Sequence, residues 1–544
     1  MTDRPVISRA RAGRAILAAA LALSTVILVP GAAEAAPTGV ERGRGCENRA
    51  NNTYDKLLEC VSTEGVFEHL QAFQAIADAN SGTRASATPG YDASADYVAG
   101  LLEEAGYEVT RQVFEFPFFA EDAPATLHQL TPVDAVYETG TFEYSGEGTV
   151  TGTVVPVDIN LVGDRASTSG CEIEDFAGVD LSGPSDIVLV QRGSCDFAVK
   201  ALNAQDSGAE AVVIFNQGTE GRLDLIVGTL GDQSAGVVDI PVVGASFADG
   251  VALAAPGSTA TVSTDVFLEF RTTENVIADS RHGNPDNVVM SGAHLDSVLE
   301  GPGINDNGSG SAALLETALS MANVRPVNQL RFAWWGAEES GLVGSTYYVE
   351  NLSEDELAQI ALYMNYDMVG SPNFVHTVYD ADESTFAAAD FGVVVPEGSI
   401  AIEDVYESFY TLQGVPYDDT GFSGRSDYQA FILSGIPASG LFTGAEEVKT
   451  PEQQAIWGGI AGEAFDQCYH EACDTIDNVS AEAIDVNSDA IAFATLTFAY
   501  STESVNGVPG RRVPGRPFEM PTPAGPEGTF VIGGGASAPA HGES

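Results

Sequence analysis

Within positions 291–347, His294, Asp296, Asp306, Glu338 and Glu339 stand among apolar runs and glycines. Each is a metal ligand or an acid/base by type. The runs 287–291 and 330–335 are short, apolar and partly β-branched or aromatic, the pattern of buried parallel strands, and 308–321 reads as a helix between them. In this β-loop-α-β unit His294 and Asp296 fall just past the carboxyl end of one strand, and Glu338 and Glu339 just past the next. Ligands bind at that edge of an open α/β sheet. Gly301, Gly303, Gly308 and Gly310 let the intervening backbone come close to whatever is bound. Alone, a His-x-Asp pair or a Glu-Glu turn is an ordinary surface feature. Together, at successive strand ends, these residues read as a metal centre.

The start of the chain reads as an export signal. Arg4, Arg9, Arg11 and Arg14 precede an apolar run over 15–29, then Pro30 and Ala33-Glu34-Ala35, a small-x-small cleavage pattern. The run is short of a bilayer span. A signal peptide over 1–35 makes the mature protein secreted, extracellular and free of the membrane. The cysteines fit this compartment: six form an even set, which favours disulfides over thiolate metal sites. Their clustering suggests Cys46 with Cys60, Cys171 with Cys195, and Cys468 with Cys473. The net charge of −55 opposes nucleic acid and anionic membranes and attracts cationic partners, including the ammonium end of a peptide. Spread over a surface, it also confers solubility.

Segment 46–119 reads as mixed α/β, with helical spacing over 65–80 and 94–105 and a strand over 107–118; none of its residues calls for chemistry. Over 120–265 the texture changes to short β-like runs around a strand at 187–191, a helix at 197–207 closed by Gly208, and a strand at 211–215. Segment 266–505 begins with runs 275–280 and 287–291 flanking a turn, expected as a hairpin. It ends with a helix over 481–500, N-capped by Ser480. Beyond it, 506–544 is rich in Pro, Gly and Ala and is expected to be a disordered or processed tail.

The motifs His294-x-Asp296-Ser297, Asn305-Asp306-Asn307-Gly308-Ser309-Gly310 and Glu338-Glu339 resemble those of the co-catalytic di-zinc exopeptidases that include leucyl aminopeptidases and aminopeptidase Y. The resemblance calls for an Asp about 28 residues after the second Glu, met by Asp367, and for a Tyr-His pair near the end, met by Tyr469-His470. The core of 186–217 is similar to the protease-associated (PA) domain inserted into several members. The implied fold is α/β: a mixed, mainly parallel sheet flanked by helices, with an inserted β-rich domain. The implied cofactors are two zinc ions, with calcium left open. Asp306 would bridge the zinc ions, His294 and Asp367 completing one site and Glu339 and His470 the other. Glu338 is left over as the base, Tyr469 as an oxyanion donor, and Asp296 as the residue holding His294 in one tautomer. The resemblance also implies a cis Asp306–Asn307 peptide. Arg425 and Asp427 resemble a segment lining the substrate site. Arg425 could steady an oxyanion or a peptide carbonyl and Asp427 orient His470; a salt bridge between the two is the open alternative.

Peptides with a free N-terminus, apolar at the first residue, are the implied substrates. A carboxypeptidase of the same group, or a non-catalytic peptide-binding relative, is the alternative. Fewer than eighty residues follow His470, too few for the dimerising helical domain of the carboxypeptidase and receptor relatives, so a monomer is expected.

Overall fold

A computed structural model describes residues 45–46, 48–219, 221–231 and 237–530. The expected signal segment 1–35 lies outside them.

Among these residues the strands are β1 (Glu108–Thr131), β2 (Ala135–Tyr137), β3 (Gly148–Pro156), β4 (Asp186–Gln191), β5 (Ala211–Phe215), β6 (Val242–Ala245), β7 (Thr259–Asp279), β8 (Asn284–His294), β9 (Asn328–Trp335), β10 (Ile360–Tyr366), β11 (Thr377–Tyr379), β12 (Asp418–Thr420) and β13 (Ala438–Phe442). They form one mixed sheet in the order β12-β11-β13-β10-β8-β9-β7-β3-β4-β5-β6, with β1 and β2 joined to β7. At its centre β9, β8, β10 and β13 are parallel. Successive residues of β9 point to opposite faces. Phe332 and Trp334 pack with the helices Thr63–Ala79, Gly308–Met321 and Ala481–Tyr500, whereas Ala333 and Trp335 pack with Tyr348 and Phe431 on the other side. Because both faces are covered, this strand reads as a nearly continuous apolar run. The helices Gly308–Met321 and Ala481–Tyr500 have the bounds expected from sequence, the second capped by Ser480, whose side chain accepts from Ala483 N.

Three expectations need correction. First, the strand expected to end at 118 continues as β1 to Thr131, paired antiparallel with β7 from Glu108↔Asp279 to Thr131↔Thr259 and bulged near 121–126. This ribbon crosses the expected boundary at 119/120. Through β7 it joins the parallel strands β3 to β6 of the inserted region to the central sheet. Second, β7 and β8 do not form a hairpin. β9, carried back from β8 by the helix Gly308–Met321, lies between them, antiparallel to β7 and parallel to β8. The turn signal was correct, but local sequence does not say which strand fills the place beside β7.

Third, the residues after Asn506 are ordered as far as they are described. Val513 and Met520 pack on the main core and Phe530 on Val375 and Phe465. Asp418, fully buried, accepts from the backbone N–H of Gly528 at 2.9 Å and of Thr529 and Phe530 at 2.7 Å, and from the Thr529 hydroxyl at 2.7 Å. A segment too poor to build a core can still be strapped to one. Asp418→Ala is therefore expected to cost about 2–3 kcal/mol, because charge-assisted bonds are lost and the buried N–H of Phe530 is stranded. It should also expose the region after 506 to limited proteolysis; unchanged cleavage and unfolding midpoint would contradict the strap.

All three cysteine pairs are joined, with S–S distances of 1.99, 2.06 and 2.00 Å for Cys46–Cys60, Cys171–Cys195 and Cys468–Cys473. Among the described residues no helix is long and apolar enough to cross a membrane.

Candidate metal centre

Adjacent parallel strands deliver the key side chains to one edge. His294 is the last residue of β8, Asp367 directly follows β10, and Glu338 and Glu339 follow β9 by three and four residues. Asp306 lies in the loop before the helix Gly308–Met321, and the Asp306–Asn307 peptide is cis. His470 comes from the loop closed by Cys468–Cys473, with φ 59° in the left-handed region.

Asp306 sits between the two imidazoles: Oδ1 is 3.3 Å from His294 Nε2, and Oδ2 is 3.3 Å from His470 Nε2. On the first side Asp367 Oδ1 approaches His294 Nε2 to 3.4 Å and Glu338 Oε2 to 3.8 Å; on the second Glu339 Oε2 is 3.0 Å from His470 Nε2. His294 Nδ1 is 3.1 Å from the carbonyl oxygen of Asp296 and 3.6 Å from its carboxylate, so the hydrogen-bond contact is with the backbone. A proton on Nδ1 leaves the Nε2 lone pair facing Asp306 and Asp367. The Asp296 carboxylate instead accepts from Glu338 N at 3.3 Å.

The cage is braced by residues to which the sequence reading assigned no role. Asp474 accepts from Asn305 N at 2.8 Å and Asp306 N at 3.0 Å, while Asp466 accepts from Asn305 Nδ2 at 2.7 Å and Cys468 N at 2.8 Å. The loops bearing Asp306 and His470 are thereby clamped together. Ser426 donates to Asp367 Oδ2 at 2.6 Å. Arg84, fully buried in the segment read as scaffold, donates to the carbonyl oxygens of Pro302 at 2.8 Å, Gly303 at 2.5 Å and Leu295. Burial pulls its pKa down to about 10, against the nearby Asp296, Asp474 and Asp306. The glycines serve close packing of the protein on itself: a Cβ on Gly310 would lie 2.4 Å from Tyr366 O, and one on Gly301 2.4 Å from Glu471 O.

Arg425 pairs with Glu446, at 2.7 and 3.2 Å, and not with Asp427; its Nη2 also lies 3.2 Å from the Tyr469 hydroxyl. Tyr469 stacks on the His470 ring at 3.9 Å. Asp427 is buried with His294, Asp367 and Asp296 as charged neighbours, so its field acts at the His294 end of the cage and not, as expected, on His470.

In the side chains alone, protons balance the crowded charge. Burial pushes Glu338 well above the usual carboxylate range and Glu339 up to about 7, with the adjoining carboxylates adding to both. Burial works against a charge on His294, yet Glu338 and Asp367 hold its proton well above the ordinary imidazole range. Despite burial, hydrogen bonds from both imidazoles keep Asp306 low. Glu339 Oε1 and Asp367 Oδ1 are buried and have no hydrogen-bond partner among the described residues. Orphan oxygens among imidazoles, in the groups His294/Asp306/Glu339 and His294/Glu338/Asp367, form a donor set suited to zinc.

Two cavities open on this cage. One is walled by Met368, Tyr379, Thr420, Phe442 and Tyr469, with Glu338 and Asp367 at its floor. The other opens on Glu339 and His470 and is bounded by Phe118, Phe119, Glu143 and Val227, so the inserted region forms part of its wall.

A mixed α/β sheet carrying a binuclear cage at its carboxyl edge, with room for a peptide end beside it, defines a metallo-exopeptidase. Residues 275–495 match peptidase family M28 and residues 150–253 match the PA domain. The chain is 47% identical over 473 residues to an aminopeptidase of Pseudomonas aeruginosa, covering 85% of this chain and 86% of that one. Among solved structures it is similar to an aminopeptidase from Aneurinibacillus sp. strain AM-1, with a TM-score of 0.65 and 28% identity over 86% of this chain and 99% of that one. It also resembles a zinc aminopeptidase from Bacillus subtilis, with a TM-score of 0.58 and 25% identity over 82% and 98%. The chain belongs to peptidase family M28 and carries an inserted PA domain.

Proposed function

We propose that the protein is a secreted di-zinc aminopeptidase that removes apolar N-terminal residues from peptides. The observation that carries this reading is the position of Asp306, equidistant from His294 and His470, each of which has a further carboxylate beside it. On this reading His294, Asp306 and Asp367 would hold one zinc ion and Asp306, Glu339 and His470 the other. Bound zinc would polarise the scissile carbonyl and lower the pKa of an attacking water to about 7. Glu338, left over from the pairing, takes that water's proton and hands it to the departing amine. Tyr469 donates its hydroxyl to the developing oxyanion, with Arg425 beside it to orient the phenol. Secretion is supported by three disulfides, which persist in oxidising compartments.

The choice of amino over carboxyl end rests on charge. Arg425 is the one arginine or lysine among the described residues lining the first cavity, and Glu446 already engages it in two hydrogen bonds. A substrate carboxylate would find no free partner there. A substrate ammonium finds Glu338, Asp367 and Glu447. The wall of Met368, Tyr379 and Phe442 suits an apolar side chain. N-acetylation of a leucine amide or dipeptide is therefore expected to lower kcat/KM by at least about a hundredfold, since it removes the charge those carboxylates recognise. Equal cleavage of free and acetylated substrates would refute recognition of the amine. Preferential cleavage at the carboxyl end would favour the carboxypeptidase reading.

A further inference from the structure

A second group of carboxylates lies apart from this centre, and nothing in the reaction uses it. Glu403 and Glu407 project from adjacent turns of the helix Ile400–Gln413 toward Asp419 of β12, and one donor oxygen of each lies within 4.8 Å of the others. Asp380 and Asp382, just past β11, form a second such set with Glu403. Glu403 is 2%, Glu407 8% and Asp419 0% exposed. The charged groups acting most strongly on Glu403 are all carboxylates, namely Asp382, Glu407, Asp380 and Asp419.

Acid clusters are common, but this one has an unsatisfied member. Asp419 Oδ2 accepts from the hydroxyls of Ser384, at 3.1 Å, and Thr385, whereas its Oδ1 is buried with no hydrogen-bond partner. Ordinary packing leaves few such oxygens, and a buried carboxylate without partner or counter-charge is costly. Burial first and the neighbouring carboxylates second push Glu403 up to about 10, Glu407 to about 7 and Asp419 to about 6, so charge balance is wanting here.

We propose that Glu403, Glu407 and Asp419 hold one calcium ion, with Asp380 and Asp382 adding negative charge on its open side. The donors are all oxygen, which selects a hard cation over zinc. They come from a helix and a strand, with a loop beside them, and are mostly dehydrated; calcium accepts such an irregular oxygen shell, whereas magnesium demands near-octahedral geometry and keeps its waters. The ion would sit behind the substrate cavity, because Tyr379 of β11 and Thr420 of β12 line that cavity's wall. It would also stiffen the strand whose Asp418 fastens residues 528–530.

Calorimetric titration of the zinc-saturated full chain with calcium chloride is expected to show one ion bound per chain. At about a hundredfold excess over Kd the Tm should rise by about 2 °C or more. Glu403→Gln and Glu407→Gln should each weaken calcium binding at least tenfold while leaving zinc content unchanged. No binding by the native chain, undiminished binding by both variants, or equal affinity for magnesium would overturn the assignment. Should the variants fail to fold, terbium offers a test on the native chain, because Tyr417 directly precedes β12, which carries Asp419. Tyrosine-sensitised terbium emission should appear and be displaced by calcium, and its absence would equally overturn the proposal.

Discussion

Glu338→Gln is expected to lower kcat for a leucine amide by about three orders of magnitude, or about 4 kcal/mol of barrier, with KM little changed and two zinc ions retained per chain. Glutamine keeps the volume and the hydrogen-bonding reach of the side chain but cannot carry a proton from water to the leaving amine. Metal content is the discriminating readout, since Glu338 Oε2 lies only 3.8 Å from His294 Nε2 and shares a triad with His294 and Asp367. If the variant loses one zinc ion, Glu338 is a ligand and the division of labour between the adjacent glutamates is wrong. A variant with two ions and native turnover would remove it from the proton path. Its backbone N–H bond to Asp296 is untouched by the substitution, so the side chain alone is tested.

The positions of His294, Asp306, Glu338 and Glu339 were legible because local pattern controls them: two apolar strands and the helix between them fix which edge their loops reach. Asp367 and His470 could be found only through the family's spacing. The placement of Asp367 depends on β10 pairing beside β8, and that of His470 on the clamp by Asp466 and Asp474, neither of which a local signal reveals. Arg84 shows the limit most clearly. It lies more than two hundred residues before the loop it braces and has the same local appearance as any solvated arginine, yet it is wholly buried against three carbonyl oxygens. The expected hairpin, and the expected disorder over the part of the tail described to residue 530, failed for the same reason. Turn composition marks where the chain bends but not which strand pairs next, and a Pro- and Gly-rich stretch looks disordered until Asp418 captures its backbone.

Asp306→Ala is expected to be more damaging than Glu338→Gln, lowering kcat/KM by at least about 10⁴-fold, because on the proposed two-zinc reading it takes from both metal positions the one carboxylate they would share. His294 and His470 each lose a contact at 3.3 Å, and two cations brought together without a bridging anion repel each other. Zinc content should fall below two per chain, and the rise in Tm on adding zinc to the metal-free protein should shrink accordingly, since that rise measures affinity for the folded state. A proton count gives an independent check. In the side chains alone, Glu338 and Asp367 hold a proton on His294 well above the ordinary imidazole range, and burial holds Glu339 near neutrality, so zinc must displace protons at pH 7 to bind. Native protein should release them in step with the uptake of two ions, and the variant in step with fewer. A variant that binds two zinc ions with the native proton release would show that Asp306 is dispensable as a bridge, and the two-ion cage would then have to be rebuilt around another carboxylate.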